Sequence, residues 1–187
     1  MKQVLFALPL LAFALVAAKP APAPATHSII APAAVEANKA NHLFIQLSSG
    51  GTVEVLLRPD LAPHHVERIQ ALVRQGFYNG LTFHRVIPGF MAQGGDPTGT
   101  GYHGSDLPNL KAEFSAESHK RGVASMARSQ NPDSANSQFF IVTKDSPFLD
   151  RQYTVWGEVE SGMEHVDALP VGEPPREPGK IVKAKVG

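Results

Sequence analysis

The arrangement of apolar residues predicts a mainly β domain with two helices. Three observations lead there. About eight short segments read as strands, the first two of them, between His42 and Leu57, with an apolar side chain at every second position. Glycine and proline, 16 of each in 187 residues, punctuate the chain between those segments. Only two segments carry apolar residues at helical spacing. Many short strands, turns rich in glycine and proline, and few helices read as an antiparallel barrel or sandwich.

The first eighteen residues stand outside this pattern. Lys2 gives a basic start, Val4 to Ala18 is almost wholly apolar with Pro9 inside it, and Val16-Ala17-Ala18 offers small residues to signal peptidase. The apolar run is shorter than the ~18 residues expected of a spanning helix. Residues 1–18 are therefore read as a cleavable signal peptide, and the mature protein as periplasmic or secreted. Residues 19–40 are dominated by alanine and proline, with Pro20, Pro22, Pro24 and Pro32. Proline fixes φ and supplies no N–H, so this segment is expected to be an extended, solvated linker. The folded domain is read over 41–187.

From His42 the alternation begins. Leu43, Ile45 and Leu47 share one face, and after Ser48-Ser49-Gly50-Gly51 the residues Val53, Val55 and Leu57 repeat it, which predicts a hairpin. Pro63 then opens a helix in which Val66, Ile69, Leu72 and Val73 fall on one face, and Gly76 closes it. Further strands are expected at Leu81–Val86, Met91–Gly94, Val123–Ala127, Phe139–Thr143, Thr154–Val159 and Ile181–Val186. Met163, Val166 and Leu169, spaced at three, predict a second short helix over Met163–Leu169. Gly99-Thr100-Gly101-Tyr102-His103-Gly104 matches G-x-G-x-x-G, but Ser105-Asp106-Leu107-Pro108 behind it is poor helix material. A dinucleotide site needs a helix there, so the segment is read as a flexible loop.

Composition narrows the function. The formal net charge is +0 and the pI about 7.1, so the chain lacks the electrostatic footprint of a partner for nucleic acid or an anionic membrane. There is no cysteine, which excludes disulfides, a thiol nucleophile and a lipid-anchoring thiol. The eight histidines are scattered without metal-ligand spacing, and adjacent His64 and His65 point in different directions on any regular element. Neither a metal nor a cofactor is expected. No acid/base pair and no Ser/His/Asp arrangement emerges, so hydrolysis and redox chemistry have no evident apparatus.

The most informative stretch is Phe83-His84-Arg85-Val86-Ile87-Pro88-Gly89-Phe90-Met91-Ala92-Gln93-Gly94-Gly95-Asp96. It sets a permanent cation close to two bulky apolar groups and an uncharged hydrogen-bonder. A second block runs from Ser125-Met126-Ala127 to Asn136-Ser137-Gln138-Phe139-Phe140, and a third joins Phe148-Leu149-Asp150 to Tyr153-Thr154-Val155-Trp156-Gly157. In these three blocks, in this order, the chain resembles the cyclophilin-type peptidyl-prolyl cis/trans isomerases over roughly Asn41 to Gly187. The resemblance sharpens the expected fold to a closed eight-stranded antiparallel β-barrel capped by two α-helices. It implies a monomer that rotates X–Pro bonds in unfolded or flexible segments of exported proteins.

It also implies a site. Phe90, Met91, Phe140 and Leu149 would form the pocket for the proline ring, with Phe148 and Tyr153 on its rim. Gln93 would hold the substrate backbone beside the catalytic Arg85, and Ala127 and Arg128 would present backbone groups. Gln138 would either support Arg85 from behind or satisfy loop backbone. In an arbitrary β protein the same aromatics would be core and Arg85 would be half of a surface ion pair. The chain departs from the family at Arg128, where Asn is usual, and at Arg151, where Gly is common. If the turn after Asp150 needs φ > 0, Arg151 costs roughly 1–2 kcal/mol.

Rotation about an X–Pro bond needs no nucleophile. The barrier is roughly 18–20 kcal/mol and the uncatalysed event takes ~10–100 s. A turnover on the order of 10³ per second would mean lowering that barrier by about 5.5–7 kcal/mol. A guanidinium, charged at any working pH, can donate to the prolyl nitrogen as it regains its lone pair or to the preceding carbonyl. One charge-assisted hydrogen bond contributes about 1.5–3 kcal/mol, so positioning and exclusion of water must supply the rest. A proline-binding module or holdase would use the same pocket without needing Arg85. The presence of Arg85 and Gln93 beside the apolar set favours the enzyme.

Overall fold

The computed structural model describes residues 33–187. The predicted signal peptide and residues 19–32 of the predicted linker lie outside the described residues. Helix α1 (Ala33–Glu36) is followed by strands β1 (His42–Leu47) and β2 (Gly51–Leu57), helix α2 (Pro63–Arg74), and strands β3 (Arg85–Ile87), β4 (Met91–Gly94), β5 (Val123–Met126), β6 (Phe139–Val142) and β7 (Val155–Ser161). Helix α3 (Met163–Asp167) and strand β8 (Ile181–Val186) complete the order. All eight strands form one antiparallel sheet in the order β3-β4-β6-β5-β7-β2-β1-β8.

That order corrects the closed barrel expected from the resemblance. The sheet curls into an open half-barrel whose edges are β3 and β8. The chain just before β3 meets the start of β8 at the isolated bridge Thr82–Lys180, where Ile181 N–H donates to Leu81 O and Phe83 N–H to Gly179 O, both at 2.9 Å, and Gly80 N–H to Ile181 O at 2.7 Å. The strand expected over Leu81–Val86 is cut to the three residues of β3, and the buried Phe83 and His84 precede it. Pro174, Pro175 and Pro178 precede β8 and have no N–H to donate to a neighbouring strand.

The helices also differ from expectation. The described residues hold three α-helices rather than two, because residues 33–36 form a helical turn where an extended linker was expected. Ala33-Ala34-Val35-Glu36 has no proline after Pro32, and alanine is the strongest helix former. The turn is tied to the domain by Asn41 Nδ2, which donates to Val35 O at 3.0 Å, and by the His42 ring, whose Nε2 lies 2.8 Å from Glu36 O.

Helix α2 lays Val66, Ile69, Leu72 and Val73 on the inner face of the sheet, where they pack with Leu57, Phe83, Phe139, Ile141, Trp156 and Ile181. A smaller apolar cluster lies apart from this core and consists of Leu61, Met91, Val123, Phe140, Val142, Leu149 and Val155. Strand β6 separates the two. All four of its residues are buried, with Phe139 and Ile141 in the main core and Phe140 and Val142 in the second cluster. Strand alternation thus explains how one continuous apolar run serves two cores.

Candidate active site

The site grows from the β3–β4 hairpin. Its turn, Ile87-Pro88-Gly89-Phe90, has proline at the second position and glycine at the third with φ 66°, and Phe90 N–H donates to Ile87 O at 3.2 Å. This is the chemistry of a type II turn, which needs positive φ at its third residue. The turn sets the register, so that Arg85 pairs with Gln93 and Gln93 in turn pairs with Phe140 on β6. Directly opposed residues share a face of a sheet. Arg85, Gln93 and Phe140 therefore form one row across three strands, and Met91 lies two residues from Gln93 on the same face.

These residues open onto a cavity of about 150 Å³ lined by Arg85, Phe90, Met91, Gln93, Ala127, Arg128, Phe140, Leu149 and Tyr153. It is small beside the ~300–1,000 Å³ of pockets for drug-sized ligands, a size suited to one small ring. A second cavity of about 620 Å³ shares Gln93, Ala127 and Arg128 with it and extends along Gly101–Gly104, Ser129, Gln130 and Asn136. The two together make a groove long enough for an extended chain on one side of the ring pocket. The larger cavity has no counterpart in the sequence reading, because its walls come from a loop and a 3₁₀ turn with no periodic signal.

Phe148, expected on the rim, and Gln138, expected behind Arg85 or on loop backbone, both lie outside the lining of the ring-sized cavity. Phe148 is 63% exposed and leans on Phe90 with ring centroids 5.5 Å apart, outside the cavity lining. Gln138 stands behind the site without touching Arg85. Its Nε2 donates to Gly101 O at 3.0 Å and His103 O at 2.8 Å, while its Oε1 accepts from Gln93 Nε2 at 3.0 Å. Of the two readings of this residue, satisfaction of loop backbone is the one seen, with the added effect of orienting Gln93. The Arg128 guanidinium folds over the Tyr153 ring at 4.7 Å, and its Nε donates to Gln152 O at 3.0 Å.

The loop after β4 hangs on Asp96. The carboxylate accepts from Thr98 N–H and hydroxyl (2.7 and 2.8 Å), Gly101 N–H (2.6 Å) and His103 N–H (3.3 Å). Burial alone would raise the Asp96 pKa, but these donors outweigh it and hold the value down at about 2. The Gly99–Gly104 segment, read from sequence as flexible, is thus tied to the end of β4 and forms one wall of the larger cavity.

Behind Phe140 lies a buried polar chain that sequence reasoning missed. The His119 ring stacks on Phe140 with centroids 6.3 Å apart and meets Tyr153 edge-on at 6.4 Å. Its Nδ1 is 3.0 Å from Asp150 Oδ1 and its Nε2 is 2.9 Å from Ser125 Oγ. Burial pushes the His119 pKa down despite the adjacent Asp150 carboxylate, so the ring is neutral, with Nδ1–H donating to Asp150 and Nε2 accepting from the Ser125 hydroxyl. This is a Ser–His–Asp arrangement where none was expected, but Ser125 is wholly buried and cannot meet a substrate. Ser125 is six residues from His119 but Asp150 is 31 away, and no sequence spacing announced the set. Asp150 also accepts from His119 N–H at 2.7 Å and Ser118 Oγ at 2.9 Å, which fixes the turn carrying Leu149 and Tyr153. In that turn Arg151 has φ 61°, the left-handed conformation anticipated from the departure at this position.

Arg85 itself is half of an ion pair, since its Nε donates to Glu173 Oε2 at 2.8 Å. Away from the groove, His42 Nδ1 faces Glu54 (3.1 Å) and Glu160 (3.4 Å), and these three side chains offer ligand atoms within 4.8 Å of one another. The Glu36 carbonyl on the other ring nitrogen, with the two carboxylates, raises the His42 pKa. When protonated, the ring places a positive charge between those carboxylates.

Known proteins share both sequence and shape with this chain. Residues 42–186 match the family model described as cyclophilin type peptidyl-prolyl cis-trans isomerase/CLD. A probable peptidyl-prolyl cis-trans isomerase of Brucella suis is 51% identical over 168 residues, covering 80% of this chain and 84% of its own. Peptidyl-prolyl cis-trans isomerase B of Bacillus subtilis is 41% identical over 131 residues, covering 70% and 91%. Among solved structures, a cyclophilin of Hirschia baltica superposes with a TM-score of 0.74 at 31% identity, covering 80% of this chain and 74% of its own. A Cryptosporidium parvum cyclophilin type peptidyl-prolyl cis-trans isomerase, solved in the presence of the dipeptide Ala-Pro, superposes at 0.73 with 29% identity, covering 78% and 98%.

Proposed function

This chain belongs to the cyclophilin-type peptidyl-prolyl cis-trans isomerases, and from that premise we propose that it turns X–Pro bonds of exported polypeptides by a non-covalent mechanism centred on Arg85. The observation that carries the mechanism is the row Arg85–Gln93–Phe140 beside a ring-sized apolar cavity. Phe90, Met91, Phe140 and Leu149 hold the proline ring and keep water from it. Gln93, held by Gln138, fixes the peptide backbone, and the shared wall of Ala127 and Arg128 guides the flanking chain into the larger cavity. The Arg85 guanidinium donates to the amide as it twists, and it accelerates rotation to the extent that this bond is stronger in the twisted state than in the planar one. The Ala-Pro dipeptide present with the Cryptosporidium relative supports a proline-containing substrate.

Export rests on the basic, apolar and small-residue succession of residues 1–18. Intact-mass measurement on protein from the native compartment tests it. A soluble species beginning near Lys19 is expected, and a membrane-bound species retaining Met1 would overturn it.

The mechanism is tested by NMR exchange spectroscopy on an X–Pro peptide. Arg85→Ala is expected to lower kcat/KM by at least about tenfold, with little recovery in Arg85→Lys, because an ammonium cannot reproduce the planar fork. With no titrating nucleophile or base in the mechanism, kcat/KM is expected to stay nearly flat between about pH 6 and 8. A full exchange rate in Arg85→Ala would leave the pocket alone as the catalyst.

A further inference from the structure

We propose that Glu173 is a positioning residue for the isomerase site: its carboxylate holds the Arg85 guanidinium through Nε and leaves the two terminal nitrogens for the substrate amide. The proposal rests on the reading of Arg85 given above and extends it to a residue outside the three sequence blocks that define the site.

The backbone places Glu173. Val86 N–H donates to Gly172 O at 2.9 Å and Gly172 N–H donates to Val86 O at 3.0 Å, an isolated antiparallel bridge on the free edge of β3. Antiparallel partners step outward from such a pair, so residue 173 falls opposite residue 85. Arg85 pairs with Gln93 on its other side. The row that faces the pocket therefore continues past Arg85 to a carboxylate, and Arg85 is flanked from both sides by polar side chains at the same level.

The support for that carboxylate is stiff. Pro174 and Pro175 follow it and have fixed φ. Gly172 before it has φ 149°, and a Cβ there would meet the Pro174–Pro175 backbone, so the loop is closely folded on itself just where Glu173 leaves it. A rigid mount of this kind delivers a side chain to one place.

The donor count states what the contact does. A guanidinium has five N–H groups in a fixed fork. The Nε–H is taken by Glu173 Oε2 at 2.8 Å, and no acceptor among the described residues engages Nη1 or Nη2. One edge of the fork is anchored and the other four donors are free. The pair is exposed, with the Arg85 side chain at 38% and Glu173 at 53%, so it adds little to folding stability. Its consequence is orientational. Arginine has a long, entropically costly side chain, and fixing it before substrate arrives spares that cost in the twisted state. The negative charge of Glu173 works in the opposite sense by weakening the field of the guanidinium, but at this exposure it is screened by water and salt. Orientation is the larger effect, and that ordering can be tested.

The experiment compares Glu173→Ala, Glu173→Gln and Arg85→Ala in the full mature chain by NMR exchange on an X–Pro peptide. The Arg85 Nε–H resonance and the melting temperature are followed in parallel. Glu173→Ala is expected to lower kcat by about threefold to tenfold with KM changed less than about twofold, since the lost contact matters only when the amide twists. Its melting temperature should stay within about 2 °C of the parent, and its Nε–H resonance should move to the position of a free arginine. Glu173→Gln keeps an acceptor oxygen without the charge, and should retain both the shifted resonance and at least about half of kcat. An unchanged kcat in Glu173→Ala, or a Glu173→Gln variant as slow as Glu173→Ala, overturns the positioning role. If Arg85→Ala is slow while Glu173→Ala is fast, only this proposal fails. If Arg85→Ala itself keeps its rate, the reading of the site beneath it fails.

Discussion

Arg151 sits at φ 61° between Asp150, whose carboxylate is held by His119 and Ser118, and Tyr153, whose ring lines the cavity. The left-handed conformation costs a side-chain-bearing residue roughly 1–2 kcal/mol, and the exposed Arg151 side chain makes no hydrogen bond among the described residues to offset it. Arg151→Gly removes the strain but frees the unfolded chain, which returns part of the gain. The expected outcome is a net stabilisation of up to ~1 kcal/mol, read as a melting temperature higher by about 2–4 °C. A lower melting temperature would mean that the arginine makes a compensating contact. The departure from glycine was visible at Arg151 in the sequence, whereas its cost followed only from the turn. Glu173 and His119 gave no such hint, since one lies in a proline-rich loop and the other in the polar run Glu117-Ser118-His119-Lys120-Arg121.

Strand β6 concentrates fold and function at the level of an element. Phe139 meets Tyr78, Phe83 and Trp156 edge-on at 5.7, 6.2 and 5.7 Å, deep in the main core. Phe140, one residue on, faces the cavity with Tyr153 at 5.5 Å. Truncating neighbours in one strand should therefore have different consequences. Phe139→Ala is expected to destabilise by about 3–5 kcal/mol and to leave KM for a proline peptide unchanged in the folded protein. Phe140→Ala is expected to raise KM by about tenfold or more through lost contact with the ring, a change tied to about 1.4 kcal/mol of binding. Peptide titrations below the melting transition check both. A KM for Phe139→Ala that rises as far as that for Phe140→Ala would show that β6 moves as one piece and that its two faces are not independent. The four-residue apolar run was legible as a strand. Which face lines the cavity was legible only through the family resemblance, because continuous burial erases the alternation that would mark it.

For the molecule as a whole, three buried histidines set the response to acid. Burial is the leading cause that lowers the pKa of His65, His84 and His119 below the ordinary value of 6.5. Between their folded values and 6.5 the unfolded chain binds more protons than the folded one, so their contribution is fully present above pH 6.5 and is lost as pH falls below it. His42 acts in the opposite sense. Its raised pKa, set first by the Glu36 carbonyl, stabilises the fold below pH 6.5 and loses that effect as pH rises through the folded value. Because the first three are buried and His42 is partly exposed, the melting temperature is expected to drop by at least about 3 °C from pH 7.5 to 5.0. Calorimetry across that range decides it, and a flat or rising profile would show that the interior histidines accept protons without cost.

Taken by itself, the sequence determined about eight short strands and the long helix α2, and its resemblance to a family named the apolar residues that line the cavity. The elements are written in local signals, alternation and helical spacing, whereas the cavity residues were legible only through three motif blocks. Only the tertiary structure decided that the sheet stays open between β3 and β8, that Gln138 backs Gln93 rather than Arg85, that His119 joins Ser125 to Asp150 beneath Phe140, and that Glu173 reaches Arg85. The contacts Gln93–Gln138, His119–Asp150 and Arg85–Glu173 join residues 45, 31 and 88 apart in the chain. A short-range pattern holds no record of such a meeting, because polar side chains on loops repeat with no period and their partners are set by the packing of everything between them.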